Sequence, residues 1–161
     1  MSKFEEAFER MVPSLVATAW DYTNRSPLVE LIWVYIQFDN MYPIAVPYYQ
    51  IAGEALEAHR VKTAIPGIDF ASRHLQMLDD LGELAEAMFD EVGDRGQIPF
   101  LMVLKFSPAD QDFQADFSWQ DVFGDTPIEK RETLHYFAQR WFERLRTTGD
   151  DSAVLIPKPV D

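Results

Sequence analysis

The chain reads as an α+β domain: an antiparallel sheet of two hairpins covered by helices, in the order α-ββ-α-ββ-α. Three observations predict this. Ile98 to Phe106 is a near-continuous apolar run of strand length, with Lys105 as its single charge. Phe113, Ala115, Phe117 and Trp119 then alternate with Gln114, Asp116, Ser118 and Gln120, the period-two pattern of a strand with one buried face. Before them, Leu75, Leu78, Leu81, Ala85, Met88, Phe89 and Val92 recur at helical spacing from Asp69 to Val92.

The elements follow in order. Ser2 to Val12 predicts a helix, with Ser2 as cap, Glu5 as its capping-box partner and Phe4, Ala7, Phe8 and Met11 as an apolar stripe. Pro13 should end or kink it, and Ser14 to Tyr22 continues as a second helical segment or a bent extension. Asn24-Arg25-Ser26-Pro27 is a turn. Leu28 to Phe38 is apolar on both alternating faces, as a central strand is. Asp39-Asn40 turns into a second strand, Met41 to Ile51, which Pro43 and Pro47 push toward a sheet edge or a bulge.

Ala52 to Ile68 reads as a connection without assigned structure, broken by Pro66-Gly67. The helix of Asp69 to Val92 has Gly93 where a C-terminal cap belongs. Ser107 to Asp112 has turn composition and joins the two strands of the second hairpin, expected at the centre of the core. A last helix opens at Asp125-Thr126-Pro127 and buries Ile128, Leu134, Phe137, Ala138, Trp141, Phe142 and Leu145. Gly149 ends it. Residues 1–149 thus form one domain, and 150–161, with Pro157 and Pro159, read as a loose tail.

Composition narrows the function classes. The 161 residues suffice for one sizeable core, and the absence of Cys excludes disulfides and thiolate metal sites. The longest strictly apolar run, Leu31 to Ile36, is far too short for a membrane span, and the acidic start lacks a signal-peptide layout. The expectation is a cytoplasmic protein. Twenty-seven acidic against 14 basic residues give a net charge of −13. Such a field disfavours nucleic acid and anionic membranes as partners and attracts a basic protein; it also serves plain solubility.

Catalytic constellations are not evident. Asp110, Asp112, Gln114 and Asp121 fall in a calcium-loop register, but Ala115 replaces the turn glycine and Asp121 the bidentate glutamate. His59, His74 and His135 are far apart and show no metal-ligand spacing. No nucleophile elbow or phosphate loop is present, and the reading is no enzyme, no metal and no cofactor. Trp119 and the Phe113/Phe117 stripe read as core packing, with a ligand slot as the alternative.

The acidic residues have one notable concentration. From Asp79 to Asp94 there are seven carboxylates and no Lys or Arg. Like charges at helical spacing, near the end where the dipole disfavours them, oppose local stability by tenths of a kilocalorie each, about 0.2–0.5 kcal/mol. The face of Asp79, Asp80, Glu83, Glu86, Asp90 and Glu91 is therefore the candidate protein-binding surface. A solvated helix face is the plain alternative.

The order of elements and several residues resemble the YezG-like (DUF600) family of bacterial immunity proteins. The carriers are the Met11-Val12-Pro13 step with Trp20 after it, and the acidic helix Leu78 to Val92 followed by Gly96-Gln97. A strand ending at Phe106 comes next, then the Asp112-to-Val122 run with Phe113, Phe117, Trp119 and Asp121, and a final helix bearing Trp141. The resemblance implies a non-enzymatic cytoplasmic inhibitor of the toxin domain, often a nuclease, of a cognate polymorphic toxin. The competing readings are a general interaction or adaptor protein, with a homodimer through exposed aromatics of Met41 to Tyr49 as one form, and a small-ligand binder or enzyme with a pocket between sheet and helices.

Overall fold

A computed structural model describes residues 2–38, 43–121, 123, 126–127 and 133–154. Within them, α1 (Lys3–Asp21), β1 (Val29–Gln37), β2 (Ile44–Ile51), β3 (Glu54–Glu57), α2 (Phe70–Val92), β4 (Leu101–Ser107), β5 (Asp112–Ser118) and α3 (Leu134–Thr148) build an α+β domain around one antiparallel sheet. The strand order is β3-β2-β1-β4-β5, so β1 is the centre and the β4–β5 hairpin forms one flank rather than the middle.

The double apolar pattern of β1 has a direct cause. Ile32, Val34 and Ile36 enter the core beneath α1 and α2, whereas Trp33 and Tyr35 enter a second core beneath α3. Two helices cover one face of the sheet and one covers the other.

Pro13 does not end α1, which runs unbroken through it. The imino acid removes the donor that would reach the Glu9 carbonyl, but Glu9 and Pro13 both face solvent, where water can take that role. Val12, Leu15, Val16 and Ala19 are buried on either side and hold the helix to the core. Its start matches expectation: the Glu5 amide donates to Ser2 Oγ at 3.1 Å and the Ser2 amide to Glu5 Oε2 at 3.4 Å.

The stretch after Ile51 contains a strand that composition had not suggested. Ala52 and Gly53 both have positive φ, 53° and 78°, the signature of a tight type I′ turn, and β3 folds back on β2 from Ile51↔Glu54 to Tyr48↔Glu57. β3 stops there, so among the described residues Ile44 to Pro47 have a strand neighbour on one side only, β1. Ladder alternation counted from the Ile51–Glu54 pair turns the backbone groups of Pro47 toward that uncovered side. Pro47 therefore costs the sheet no hydrogen bond.

Two further corrections concern the C-terminal third. Thr126 and Pro127 are not helical; the Thr126 amide closes a turn on the Phe123 carbonyl at 2.8 Å, and α3 begins after Thr133. Asp125, Ile128 and Glu129, like the Asp39-Asn40 turn and Val122, lie outside the described residues. The segment after Gly149 is docked over Asp150 to Ala153. Asp151 Oδ2 accepts from Trp33 Nε1 at 3.0 Å and lies 2.9 Å from Lys105 Nζ. The Ser152 carbonyl accepts from Trp141 Nε1 and Arg144, and the Ala153 amide donates to Asp116 Oδ2 at 2.7 Å. This strap ties β1, β4, β5 and α3 together.

Among the described residues no helix is long and apolar enough to cross a membrane.

Candidate functional site

α2 is positioned from three directions. Asp69 caps its start by accepting from the Ser72 amide, Gly93 ends it with φ 73°, and Met77, Leu81, Ala85, Met88 and Val92 bury one side. The rest of its surface follows from the pitch. At about 100° per residue, Asp79, Glu83, Glu86 and Asp90 fall within about 60° of one another, opposite the buried side. All four are exposed, and among the described residues no ion pair involves them.

The six carboxylates named from sequence do not form one patch. Asp80 and Glu91 lie about a quarter-turn away on the flank toward α1. Glu91 pairs with Arg10 of α1, and Asp80 accepts from Gln76 Nε2 at 2.8 Å. The stripe of four is the uncompensated part. Leu75, expected in the buried seam, is instead 72% exposed on the stripe's margin, one turn before Asp79.

The structure also assembles a site that spacing concealed. His59, His74 and His135, distant in sequence, line one cleft of about 370 Å³ together with Ile44, Val46, Pro47 and Leu78. The cleft opens where β3 ends and β2 is uncovered. Partial burial, then the neighbouring His59, shifts the His74 imidazole below its ordinary pKa and favours its neutral form. Among the described residues no group of three or more His, Cys, Asp or Glu could hold a metal ion. No local pattern announces this cleft, because its three imidazoles arrive on separate elements.

A third feature runs along α1. Phe4 meets Phe117 edge-on with ring centroids 5.7 Å apart, and Phe8 meets Phe117 at 5.5 Å and Phe113 at 6.3 Å. Phe113 and Phe117 pack as expected but remain half-buried. Trp119, expected as core, is 55% exposed, with its ring 6.1 Å from Phe4. It lies one residue beyond the end of β5. Asp112 to Ser118 is strand, as its alternation predicts, and Ala115 packs against the core. Tyr48 and Tyr49, which a dimer through the aromatics of Met41 to Tyr49 would need on the surface, are buried; their hydroxyls donate to the carbonyls of Ala138 and Ala19.

The arrangement offers binding surfaces: a carboxylate stripe, an imidazole-lined cleft and an aromatic groove. Searched against models of known protein families and against curated proteins, the chain matches none.

Proposed function

We propose that this chain is a non-enzymatic inhibitor that neutralises a basic protein by occluding it, in the way its resemblance to YezG-like immunity proteins implies. The partner is the toxin domain, a nuclease in the favoured case, of a cognate bacterial polymorphic toxin, and the encounter takes place in the cytoplasm. The observation that carries this reading is the stripe of Asp79, Glu83, Glu86 and Asp90, which faces outward and, among the described residues, has no basic residue paired to it. It spans eleven helical steps, about 17 Å at 1.5 Å each. A nuclease domain must keep a basic surface to hold phosphates, and a rigid row of carboxylates on a helix competes for that surface. The net charge of −13 adds steering toward it.

Co-expression with the product of the adjacent gene tests the reading, scored by rescue from growth arrest and by calorimetric affinity at two salt concentrations. Reversal of all four stripe residues to Lys should weaken binding at least tenfold at low salt and flatten its salt dependence. Affinity and salt slope unchanged by the reversal would remove the stripe from the interface.

A small-ligand-binding protein is the second reading, favoured by the cleft of His59, His74 and His135. A metabolite retained through native purification and lost in His74→Leu would support it.

A further inference from the structure

Among the described residues, the helical layer over the α1–α2 face of the sheet does not reach its edge. α2 lies over the β2 side and α1 next to it, and beyond α1 the last two strands carry Phe106, Phe113, Ala115 and Phe117 only half-buried. Two hollows, of about 520 and 610 Å³, lie between α1 and these strands. Both include Phe8 and Glu9, so they adjoin end to end along α1, with the Phe8 ring at the junction. One end is set by Phe4 and Trp119, the other by Trp20 and Phe106. From Phe4 to Trp20 is sixteen helical steps, about 24 Å.

We propose that this groove seats an amphipathic, basic helix of a partner protein. The shape argues for a helix: α1 forms one wall, rings form the floor, and a helix laid beside α1 at the usual 8–10 Å axial spacing would complete the layer and cover Trp119. The floor supplies the aromatic anchors on which binding energy concentrates. The rim supplies the sign. Glu5 and Glu9 line the groove. Among the described residues that line it the one cation, Arg25, is already held by Asp21 at 2.7 Å and laid over the Trp20 ring at 4.4 Å. A second copy of this chain would bring another net charge of −13 to an acidic rim, so charge favours a basic partner over self-association. The groove lies on the far side of α1 from the carboxylate stripe, and the proposal stands whether or not the stripe binds a toxin.

The test uses the full chain and a fluorescein-labelled amphipathic Leu/Lys helical peptide, read by anisotropy at about 0.3 M salt, where distant charges are screened. A scrambled peptide of the same composition and a Leu/Glu peptide are the controls. The Leu/Lys peptide should bind at least tenfold more tightly than either control and shift the indole emission to the blue. Trp119→Ala should weaken it about tenfold, and Glu9→Lys, an exposed change on the helix, should narrow the preference for Leu/Lys over Leu/Glu. Quadruple reversal of the α2 stripe should change the affinity less than threefold. Equal binding of the scrambled peptide, or affinity untouched by both Trp119→Ala and Glu9→Lys, would overturn the proposal. So would a concentration-dependent dimer that Trp119→Ala abolishes, since the occupant would then be a second copy.

Discussion

The two faces of the sheet are held by different means. Beneath α1 and α2 the core is broad and mostly aliphatic, with Leu15, Ile32, Ile36, Leu81 and Met88 fully buried. Its tyrosines find partners inside, Tyr22 on the Ala58 carbonyl and Tyr49 on the Ala19 carbonyl. Beneath α3 the core is smaller and built of rings: Trp141 sits 5.5 Å from both Tyr35 and Tyr48, and Phe142 stacks on Tyr48 at 4.7 Å. The polar tips of Trp33 and Trp141 are met by the Asp150-to-Ala153 strap rather than by the sheet. The first face rests on area removed from water, the second on rings plus a polar clasp. A core of the second kind is only as firm as the segment that closes it.

Truncating the largest ring should break the comparison most visibly. Trp141→Ala should cost about 3–5 kcal/mol and Leu81→Ala about 2–5 kcal/mol. The difference lies in where the loss is felt. Hydrogen exchange should accelerate in α3 and the strap for Trp141→Ala, ahead of α2, and throughout both faces for Leu81→Ala. Identical exchange patterns in the two variants would show a single cooperative unit.

The clasp comes next. Burial alone would raise the Asp151 pKa, but hydrogen bonds from Lys105 and Trp33 outweigh it and the net shift is downward. Its contribution is therefore complete above the ordinary carboxylate pKa of about 3.9 and is lost as pH falls through the lower folded value. Asp151→Asn should cost about 1 kcal/mol near neutrality. The difference in melting temperature from the parent should vanish toward acid pH; a gap that persists there would assign the effect to packing.

The smallest effect belongs to the first face's outer rung. Ala52 holds φ 53° in the turn before β3, a conformation that Asn tolerates better at this position. Ala52→Asn should raise stability by about 0.5 kcal/mol, seen as a higher urea midpoint at constant slope. A lowered midpoint would mean that the turn is not limiting.

The difference between the faces also explains what the sequence disclosed. Helices and strands with an unbroken repeat are legible: the heptad-like returns of α2 and the alternation of β5 report a single buried side each. Leu75 misleads because it sits three residues before Leu78 yet falls, by pitch, toward the outward stripe, on a helix whose buried side continues back to Phe70. Pro13 misleads because its cost depends on whether the freed carbonyl meets solvent, a tertiary fact. The Ala52-Gly53 turn hides behind an alanine, a residue that rarely marks positive φ. Of the candidate surface, the outward stripe could be computed from pitch alone, whereas the Arg10–Glu91 pair joins residues on different helices. The strap, the histidine cleft and the aromatic groove depend on groups far apart along the chain, and no local pattern encodes them.

Pro47 carries a consequence for life at high concentration. Among the described residues the stretch from Ile44 to Pro47 lacks a second strand neighbour and lies at the back of the histidine cleft, an unpaired edge of the kind on which a segment entering the cleft can template itself rung by rung. An imino nitrogen on that edge withholds a donor where an incoming chain would need one. The protein can thus leave a cleft open beside its sheet without inviting polymerisation through it.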